Sequence, residues 1–416
     1  MPIRGILKLP GDKSISHRLL MLASIAKGES LIYNISTGDD VNTTRKCLEA
    51  CGITINNKEG GIHIKGGKLR SPKIGLNCGN SGTTLRLLIG LLIGKGIKAE
   101  FYGDESLSNR PMKRILLPLS KMGALIKSNK NKLPISIIKS QLNGINYRSP
   151  LSSGQLKSSI LLAGLGANGM TLLNEPIKSR DHTENLLKFL GANLTVDGLN
   201  LRLKPLLNSS LRRFNAIVPG DPSTASFFAT AVALIPNSKI TFKGILYNHT
   251  RIGFFNLLKK IGVGVDWLSH WEESGELVRD LKIYYKKLKP FIITSDLIPS
   301  LIDEIPLLAL LATQAEGRSE ISGASELRVK ECDRIKAICF NLQNMGADII
   351  EKDDGFIIKG PTKLKGTNIK TFDDHRIAMT FSIAAKIALK KVVLDNYDCV
   401  SISYPDFYNV LRKVLI

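Results

Sequence analysis

Several positively charged side chains lie at or beside the start of a predicted helix. Lys13 and Arg18 lie in GDKSISHR, Arg86 comes shortly after GNSGTT, and Arg376 lies in DDHR. A helix N-terminus carries about half a positive charge and unpaired N–H groups, so it attracts anions. Burying an arginine costs free energy unless its guanidinium meets an anion. These clusters therefore predict a site that binds phosphate or carboxylate groups.

Two further motifs add cations and one carboxylate. LSNRPMKR contributes Arg110, with Pro111 at the expected first position of a helix. In RVKECDR, Glu331 stands between Lys330 and Arg334. Such a group is typical either of a salt-bridged surface patch or of a catalytic acid held among substrate-binding cations. The residues alone leave both interpretations open.

Other chemistries lack their motifs. GDKSISHR does not have the GxxxxGK[ST] spacing of a phosphate loop, and no Ser-His-Asp set, HExxH or GxGxxG after a strand is present. His375 is interpreted as a packed neighbour of Arg376 rather than as a base. Cys47 and Cys51 have helical spacing and predict helix packing rather than a metal site.

The elements that must position these residues recur along the chain. An amphipathic helix that ends in Gly is found five times, and these glycines predict left-handed helix stops: Gly52, Gly123, Gly191, Gly262 and Gly346. An almost wholly apolar helix, which should be buried, is found six times. Its predicted capping residues are Ser14, Ser81, Ser153, Ser223, Asp303 and Asp374. The chain thus divides into six repeats of about 70 residues.

This repetition predicts a two-domain protein with three repeats in each domain. The last repeat lacks its final strands, whereas the chain begins with a strand-like segment, PIRGILKLP. We therefore expect the N-terminal strand to complete the sixth repeat. The predicted domains are residues 1–12 with 220–416, and residues 13–219. Two crossings between them predict a hinge-like active-site cleft.

Composition excludes several classes of protein. The chain has 416 residues and a formal net charge of +22, with 43% hydrophobic and 6% aromatic residues. The apolar content excludes a disordered protein, and the few aromatics disfavour nucleic-acid binding. The longest apolar stretch, Leu87 to Ile93, is too short to span a membrane. With no signal peptide and no CxxC pair, the sequence indicates a reduced, cytoplasmic protein.

Nine motifs in one order resemble those of the 5-enolpyruvylshikimate-3-phosphate synthase family. They are GDKSISHR, GNSGTTLR, LSNRPM, the Ser-x-Gln of LSSGQLKSS, SRDHTE, VPGDPSTASFF, DEIP, RVKECDR and DDHRIAM. The resemblance implies an α/β (α+β) fold, a two-domain inverse α/β barrel of six βαβαββ-type units, three per domain. It implies transfer of the enolpyruvyl group of phosphoenolpyruvate to the 5-hydroxyl of shikimate 3-phosphate, with release of phosphate. It implies no metal and no organic cofactor, no nucleic-acid or membrane partner, and a monomer.

The resemblance also implies residue roles. Asp303 resembles the family's base, and Glu331 and Lys13 resemble the groups that exchange protons at the methylene carbon and the leaving phosphate. Residues resembling the phosphoenolpyruvate site are Lys13, Gly82, Arg110, Gln155, Arg334 and Arg376. Residues resembling the shikimate 3-phosphate site are Lys13, Ser14, Arg18, Ser153, Gln155, Ser179, Arg180, Asp303 and Lys330.

The chain departs from the family pattern in places. Ile402 stands where some members have a lysine that contacts phosphoenolpyruvate, and Glu326 stands where some have asparagine. The sister enolpyruvyl transferase acting on UDP-N-acetylglucosamine carries a catalytic cysteine just before its Arg-Pro pair. The loop Gly103–Arg110 has no cysteine, which disfavours that alternative.

Overall fold

The computed structural model describes residues 1–58, 60–206 and 210–415. The chain divides into two compact units. Unit 1 contains Met1–Pro10, Pro219–Trp271 and Leu277–Ile416. Unit 2 contains Gly11–Val218 and the short segment Glu272–Glu276.

The first half of the chain alternates short strands with helices. Its strands are β1 (Arg4–Lys8), β2 (Gly28–Tyr33), β3 (Thr54–Lys58), β4 (Gly61–Gly66), β5 (Leu76–Asn77), β6 (Ala99–Tyr102), β7 (Leu125–Asn129), β8 (Lys132–Ile138), β9 (Asn146–Arg148), β10 (Thr171–Asn174), β11 (Leu194–Asp197), β12 (Asn200–Leu203) and β13 (Asn215–Ile217). Its helices are α1 (Lys13–Ile25), α2 (Asp39–Ala50), α3 (Gly82–Gly94), α4 (Glu105–Asn109), α5 (Lys113–Lys121), α6 (Gly154–Gly164) and α7 (His182–Phe189).

The second half follows the same plan. Its strands are β14 (Lys239–Leu246), β15 (Gly264–Glu273), β16 (Glu276–Tyr284), β17 (Ile292–Ile293), β18 (Gly317–Ile321), β19 (Asp348–Lys352), β20 (Gly355–Gly360), β21 (Asn368–Ile369) and β22 (Val393–Leu394). Its helices are α8 (Pro222–Leu234), α9 (Gly253–Lys260), α10 (Ile298–Leu301), α11 (Ile305–Ala312), α12 (Arg334–Asn344), α13 (His375–Ala384) and α14 (Phe407–Val414). Two 3₁₀ helices span Ser325–Val329 and Asp398–Ile402.

The sheet topology repeats along the chain. In unit 2 the strand orders are β13-β2-β4-β3, β5-β6-β8-β7 and β11-β12-β10-β9. In unit 1 they are β1-β14-β16-β15, β17-β18-β20-β19 and the two-stranded β21-β22. In each sheet a strand such as β9, β13 or β17 joins its neighbour in parallel. The next pairings, such as β10 with β12 and β18 with β20, are antiparallel.

The prediction that the N-terminal strand completes the sixth repeat is wrong. Strand β1 pairs in parallel with β14, from Arg4 opposite Lys239 to Lys8 opposite Lys243. Strand β13, which precedes α8, pairs instead with β2. Strand β1, which precedes α1 of unit 2, lies in a sheet of unit 1, and β13, which precedes α8 of unit 1, lies in a sheet of unit 2. The sequence predicts a strand here, but any open sheet edge satisfies its N–H and C=O groups, so the local pattern does not choose the sheet.

The apolar helices form the cores, as their composition predicts. Every residue of α8 except Leu234 is buried, and α1, α3, α6, α11 and α13 are buried along most of their length. Helices α3 and α6 approach closely because Gly90 has no side chain. A Cβ atom there would lie 2.3 Å from the carbonyl oxygen of Ser159. No helix in the described ranges is long and apolar enough to cross a membrane.

The structure confirms the predicted helix stops. All five glycines have positive φ, from 78° at Gly191 to 107° at Gly262. Because this conformation strains residues that carry a Cβ, glycine ends these helices at low cost.

Three of the six predicted helix caps are confirmed. The side chains of Ser81, Ser153 and Asp374 accept hydrogen bonds from the first turns of α3, α6 and α13. At the other three openings the prediction is wrong. Asp12, not Ser14, caps α1, and Asp221, not Ser223, caps α8.

The sixth opening, at Asp303, has no side-chain cap. Asp303 lies in a turn before α11, which begins at Ile305 without a side-chain cap hydrogen bond. At α1 and α8 an aspartate lies two residues before the serine. Its negative charge interacts more favourably with the positive end of the helix dipole than a serine hydroxyl does.

Candidate active site

In unit 2, Lys13 begins helix α1 and meets an acid from helix α2. Its Nζ lies 2.8 Å from Oδ2 of Asp40. Asp12 accepts a hydrogen bond from the backbone of Ile15 at 2.8 Å and so fixes the start of the helix. Sequence reasoning missed Asp40, although an acid in the first turn of a helix is a recognisable signal.

Arg18 joins three helices of unit 2. Its Nε donates to Oγ1 of Thr183 and its Nη2 to Oγ of Ser158, both at 2.7 Å. Nη1 donates to the carbonyl oxygen of Ser14 at 2.9 Å. The guanidinium is buried, so its position is set by α1, α6 and α7 together.

The starts of α3 and α6 meet at Gln155. Its Oε1 accepts a hydrogen bond from Nη1 of Arg86 at 2.7 Å, and its Nε2 donates to Oγ1 of Thr83 at 3.0 Å. A Cβ at Gly82 would lie 2.6 Å from Nη1 of Arg86 and 3.3 Å from Nη1 of Arg110. Glycine at position 82 therefore lets two guanidinium groups lie over the start of α3.

Arg110 is buried, but its surroundings differ from the prediction. It is the C-cap of α4, and Pro111 lies between α4 and α5 rather than at the first position of a helix. Nη2 donates to Oδ1 of Asn80 at 2.6 Å and to Oγ of Ser106 at 3.1 Å. The GNSGTT loop thus positions Arg110 through Asn80, a residue that the sequence did not single out.

Ser179 and Arg180 lie in the segment between β10 and α7. The Ser179 hydroxyl donates to Glu175, and both residues are buried. Arg180 is half-buried, and a Cβ at Gly154 would lie 3.2 Å from its own Cβ. The segment therefore lies against the start of α6, beside the capping residue Ser153.

In unit 1, Arg334 is surrounded by carboxylates. Its Nε and Nη2 lie 2.7 and 3.3 Å from the two oxygens of Asp374. Nη2 also lies 2.6 Å from Glu331, and Nη1 lies 3.8 Å from Asp303. Burial opposes the charge, but these carboxylates outweigh it and raise the pKa of Arg334 above its usual value. The first residue of α12 is thus a fixed buried cation.

Arg376 lies on the other side of Asp303. Its Nη2 is 3.4 Å from Oδ2 of Asp303, and its Nη1 donates to the Asp303 carbonyl oxygen at 3.1 Å. Nη1 also lies 3.9 Å from Oε1 of Glu304. Burial, reinforced by Asp303, raises the pKa of the Glu304 carboxyl. Asp303 itself retains partial exposure between the two arginines.

Lys330 and Cys332 lie beside the same carboxylates of unit 1. Nζ of Lys330 lies 3.7 Å from Oε1 of Glu326, and desolvation lowers the pKa of Lys330 despite nearby acids. Lys330 and Glu331 precede α12 rather than lying on it. Sγ of Cys332 donates to Asp374 at 3.6 Å, and burial raises the pKa of the thiol. Ile402 packs partly buried against the apolar core of unit 1.

The described residues of each unit therefore form a candidate anion-binding group. The unit 2 group contains Lys13, Arg18, Gly82, Arg86, Arg110, Gln155 and Ser179. The unit 1 group contains Asp303, Glu304, Lys330, Glu331, Arg334, Asp374 and Arg376. Fixed guanidinium groups can bind phosphate or carboxylate, and a partly exposed carboxylate between them can accept a proton. In the part of the chain that the structure describes, no three His, Cys, Asp or Glu side chains could hold a metal ion.

Comparison with known proteins decides the family. The model of EPSP synthase (3-phosphoshikimate 1-carboxyvinyltransferase) matches residues 1–411. The chain belongs to the EPSP synthase family. The 3-phosphoshikimate 1-carboxyvinyltransferase of Sulfurihydrogenibium sp. (strain YO3AOP1) is 46% identical over 99% of this chain and 97% of its own length. That of Endomicrobium trichonymphae is 44% identical over the same shares.

Solved EPSP synthase structures have the same mixed α/β fold. The EPSP synthase of Acinetobacter baumannii superposes with a TM-score of 0.87 at 36% identity, over 99% of this chain and 96% of that one. The resemblance first seen in nine motifs is confirmed over nearly the whole chain. The protein is therefore an enzyme of the EPSP synthase family.

Proposed function

The family's enzymes transfer the 1-carboxyvinyl group of phosphoenolpyruvate to the 5-hydroxyl of shikimate 3-phosphate, and we propose that Asp303, Glu331 and Lys13 carry out this reaction here. The reaction belongs to aromatic amino-acid synthesis. The observation that carries the proposal is Asp303, a partly exposed carboxylate between the guanidinium groups of Arg334 and Arg376. This arrangement provides a base beside two cations that hold an anionic partner.

The proposed chemistry has two steps. In the addition, Asp303 takes the proton of the 5-hydroxyl, the oxygen bonds to C2 of phosphoenolpyruvate, and the methylene carbon gains a proton. In the elimination, the resulting methyl group loses a proton and the C2–O bond to phosphate breaks. Glu331 and Lys13 are the groups proposed to move these protons. Both are partly exposed, and each contacts a partner of opposite charge: Glu331 contacts Arg334, and Lys13 contacts Asp40.

The two substrates are proposed to contact overlapping sets of residues. Phosphoenolpyruvate carries a phosphate and a carboxylate, and the proposed site for them comprises Lys13, Gly82, Arg110, Gln155, Arg334 and Arg376. Shikimate 3-phosphate is proposed to contact Lys13, Ser14, Arg18, Ser153, Gln155, Ser179, Arg180, Asp303 and Lys330. Buried arginines in the free protein support this assignment, because positioned cations need no reorganisation when the anions arrive.

The finer architecture is also a proposal. The repeated sheet orders support two domains of three βαβαββ-type units each, arranged as inverse α/β barrels. We propose that the enzyme acts as a cytoplasmic monomer. The six cysteines, all free thiols, agree with a reducing compartment.

The test is a phosphate-release assay with phosphoenolpyruvate, with and without shikimate 3-phosphate. We expect release only when both are present. Asp303→Ala should lower kcat by about 10³-fold or more while leaving substrate binding largely intact, since a general base contributes roughly 10²–10⁴-fold. Lys13→Met, in the other unit, should abolish the same turnover.

The matched control is Asp348→Ala, which removes an exposed acid of unit 1. It should retain wild-type turnover. Wild-type turnover in the Asp303 variant would overturn its role as the base. Absence of phosphate release from the unaltered enzyme would overturn the proposed reaction.

A further inference from the structure

A buried ion group lies behind the segment that carries Ser179. Nζ of Lys157 lies 2.7 Å from Oε2 of Glu175 and 2.7 Å from Oε1 of Glu184. All three side chains are at most 4% exposed. Lys157 lies on α6, Glu184 on α7, and Glu175 directly follows β10. The ammonium group of Lys157 on α6 thus contacts α7 and the end of β10, the two elements that flank this segment.

The same group holds Ser179 by two atoms. The Ser179 hydroxyl donates to Oε1 of Glu175, and the Ser179 carbonyl oxygen accepts a hydrogen bond from Nζ of Lys157 at 3.3 Å. Glu175 therefore uses both oxygens, one for the serine and one for the lysine. Burial makes these contacts strong, because water does not compete for them.

The two carboxylates of the group are not equivalent. Glu184 contacts Lys157 but not Ser179, and its Oε2 lacks a hydrogen-bond partner within the residues the structure describes. Burial raises the pKa of Glu184, although Lys157 opposes the change. Glu175 instead has a partner at each oxygen. Of the two carboxylates, Glu175 is therefore the one that links the lysine to Ser179.

We propose that Glu175 and Lys157 are positioning residues for the phosphoryl group of shikimate 3-phosphate, acting through Ser179 and Arg180. This inference rests on the proposed function, which places both residues at that substrate. The turn between β10 and α7 contains no regular element to hold it. The buried pair supplies that support, and it fixes the backbone that carries Ser179 and the adjacent Arg180.

The matched pair of variants is Glu175→Gln and Glu184→Gln. Each removes one negative charge next to Lys157 with almost no change in volume, but only the first removes the anion that holds Ser179. We expect Glu175→Gln to raise KM and Kd for shikimate 3-phosphate by about tenfold, the effect of losing one charge-assisted hydrogen bond. KM for phosphoenolpyruvate and kcat should change by less than about threefold, because Ser179 belongs to one substrate only.

Glu184→Gln should change KM for either substrate by less than about threefold. A double-mutant cycle then separates positioning from general support of the fold. If Glu175 acts through Ser179, adding Glu175→Gln to the Ser179→Ala variant should have little further effect. The double variant should then have a Kd for shikimate 3-phosphate within about twofold of that of Ser179→Ala alone.

Three outcomes would overturn the inference while the proposed function stands. The first is that Glu175→Gln and Glu184→Gln change KM for shikimate 3-phosphate equally. The second is that Glu175→Gln weakens the binding of both substrates to the same extent. The third is that the effects of Glu175→Gln and Ser179→Ala on the binding of shikimate 3-phosphate are additive. If Glu175→Gln does not fold, Glu175→Asp keeps the charge and should raise KM for shikimate 3-phosphate selectively. Lack of turnover in the unaltered enzyme would instead contradict the proposed function itself.

Discussion

Arg334 shows how much a single side chain depends on its partners. Its guanidinium contacts Asp374 with two nitrogens and Glu331 with one of them, and Asp374 is completely buried. Asp374 also caps α13 through the backbone N–H of Arg376 at 2.8 Å. One aspartate therefore fixes a side chain at one helix start and the backbone at another.

Arg334→Lys should damage both stability and phosphoenolpyruvate binding. A lysine cannot form the two-nitrogen contact, so Asp374 would keep a buried charge that is only partly compensated. We expect a loss of about 3 kcal/mol in the free energy of unfolding and a fall of about 10²-fold in kcat/KM for phosphoenolpyruvate. Urea denaturation and steady-state kinetics measure the two effects.

Arg318→Lys is the control for this substitution. Arg318 forms an exposed ion pair with Glu320 at 2.9 Å, and its side chain is 64% exposed. Surface pairs contribute little, so this variant should stay within about 0.5 kcal/mol of the parent. An unchanged KM for phosphoenolpyruvate in Arg334→Lys would contradict the assignment of Arg334 to that substrate.

At the scale of the element, the first two turns of α1 combine the proposed substrate-binding cations with a buried histidine. His17 lies between Lys13 and Arg18 in the sequence, and its Nδ1 lies 2.7 Å from Oγ1 of Thr44. Burial, and then the charges of Lys13 and Arg18, lower the pKa of His17 well below 6.5, while Asp12 acts in the opposite direction. The helix therefore holds this imidazole neutral.

A neutral buried histidine makes stability depend on pH. Below about pH 6.5 the unfolded chain binds a proton that folded His17 does not take up, so the free energy of unfolding falls as the pH falls. The contribution of this group is at most about 1.4 kcal/mol per pH unit, until the lowered pKa is reached. We expect His17→Gln to flatten the decline between pH 6.5 and 5, as measured by urea denaturation.

His270→Gln is the matched control, because His270 is exposed on β15. The free energy of unfolding of the His270→Gln variant should vary with pH as that of the unaltered protein does. An equally steep decline in His17→Gln would show that other groups control the acid sensitivity.

Helix starts also show what local sequence can reveal. Ser81, Ser153 and Asp374 are caps that the pattern identified, because a capping residue lies within three residues of its partner. Asp12 and Asp221 were missed because each precedes a serine that is itself a good cap. Two acceptable caps two residues apart differ by little free energy, so local preference cannot choose between them.

At the scale of the whole molecule, the formal net charge of +22 has two parts. A minority of the cations are buried at helix starts, where they meet carboxylates and amides. The others include exposed lysines outside the helix starts, such as Lys127, Lys130 and Lys132 on the β7–β8 hairpin. We propose that the second group raises the rate at which anionic substrates are captured.

This proposal predicts salt-dependent capture. Raising ionic strength from about 10 to 150 mM should lower kcat/KM for shikimate 3-phosphate by about tenfold, because screening shortens the range of the field. Replacing Lys127, Lys130 and Lys132 with glutamine should reduce that dependence and leave kcat unchanged. A kcat/KM that does not vary with salt would exclude electrostatic steering.

Local sequence patterns predicted the apolar helices, the clusters of cations and the family. Apolar helices, stop glycines and nine ordered motifs are local properties, since each depends on residues within a few turns of one another. Together with the family resemblance that they carry, they were sufficient to predict roles for Asp303, Arg334 and Arg376.

The pairing of charged side chains and of strands depends on the folded chain. Asp40 meets Lys13 across 27 residues, and Glu175 meets Lys157 across 18. Strand β1 pairs with β14, about 235 residues further along the chain. Hydrogen bonds and buried ion pairs act over a few ångströms in space, and many acids in the chain could meet any one lysine. Sequence spacing does not measure that distance, so the partners became visible only in the folded chain.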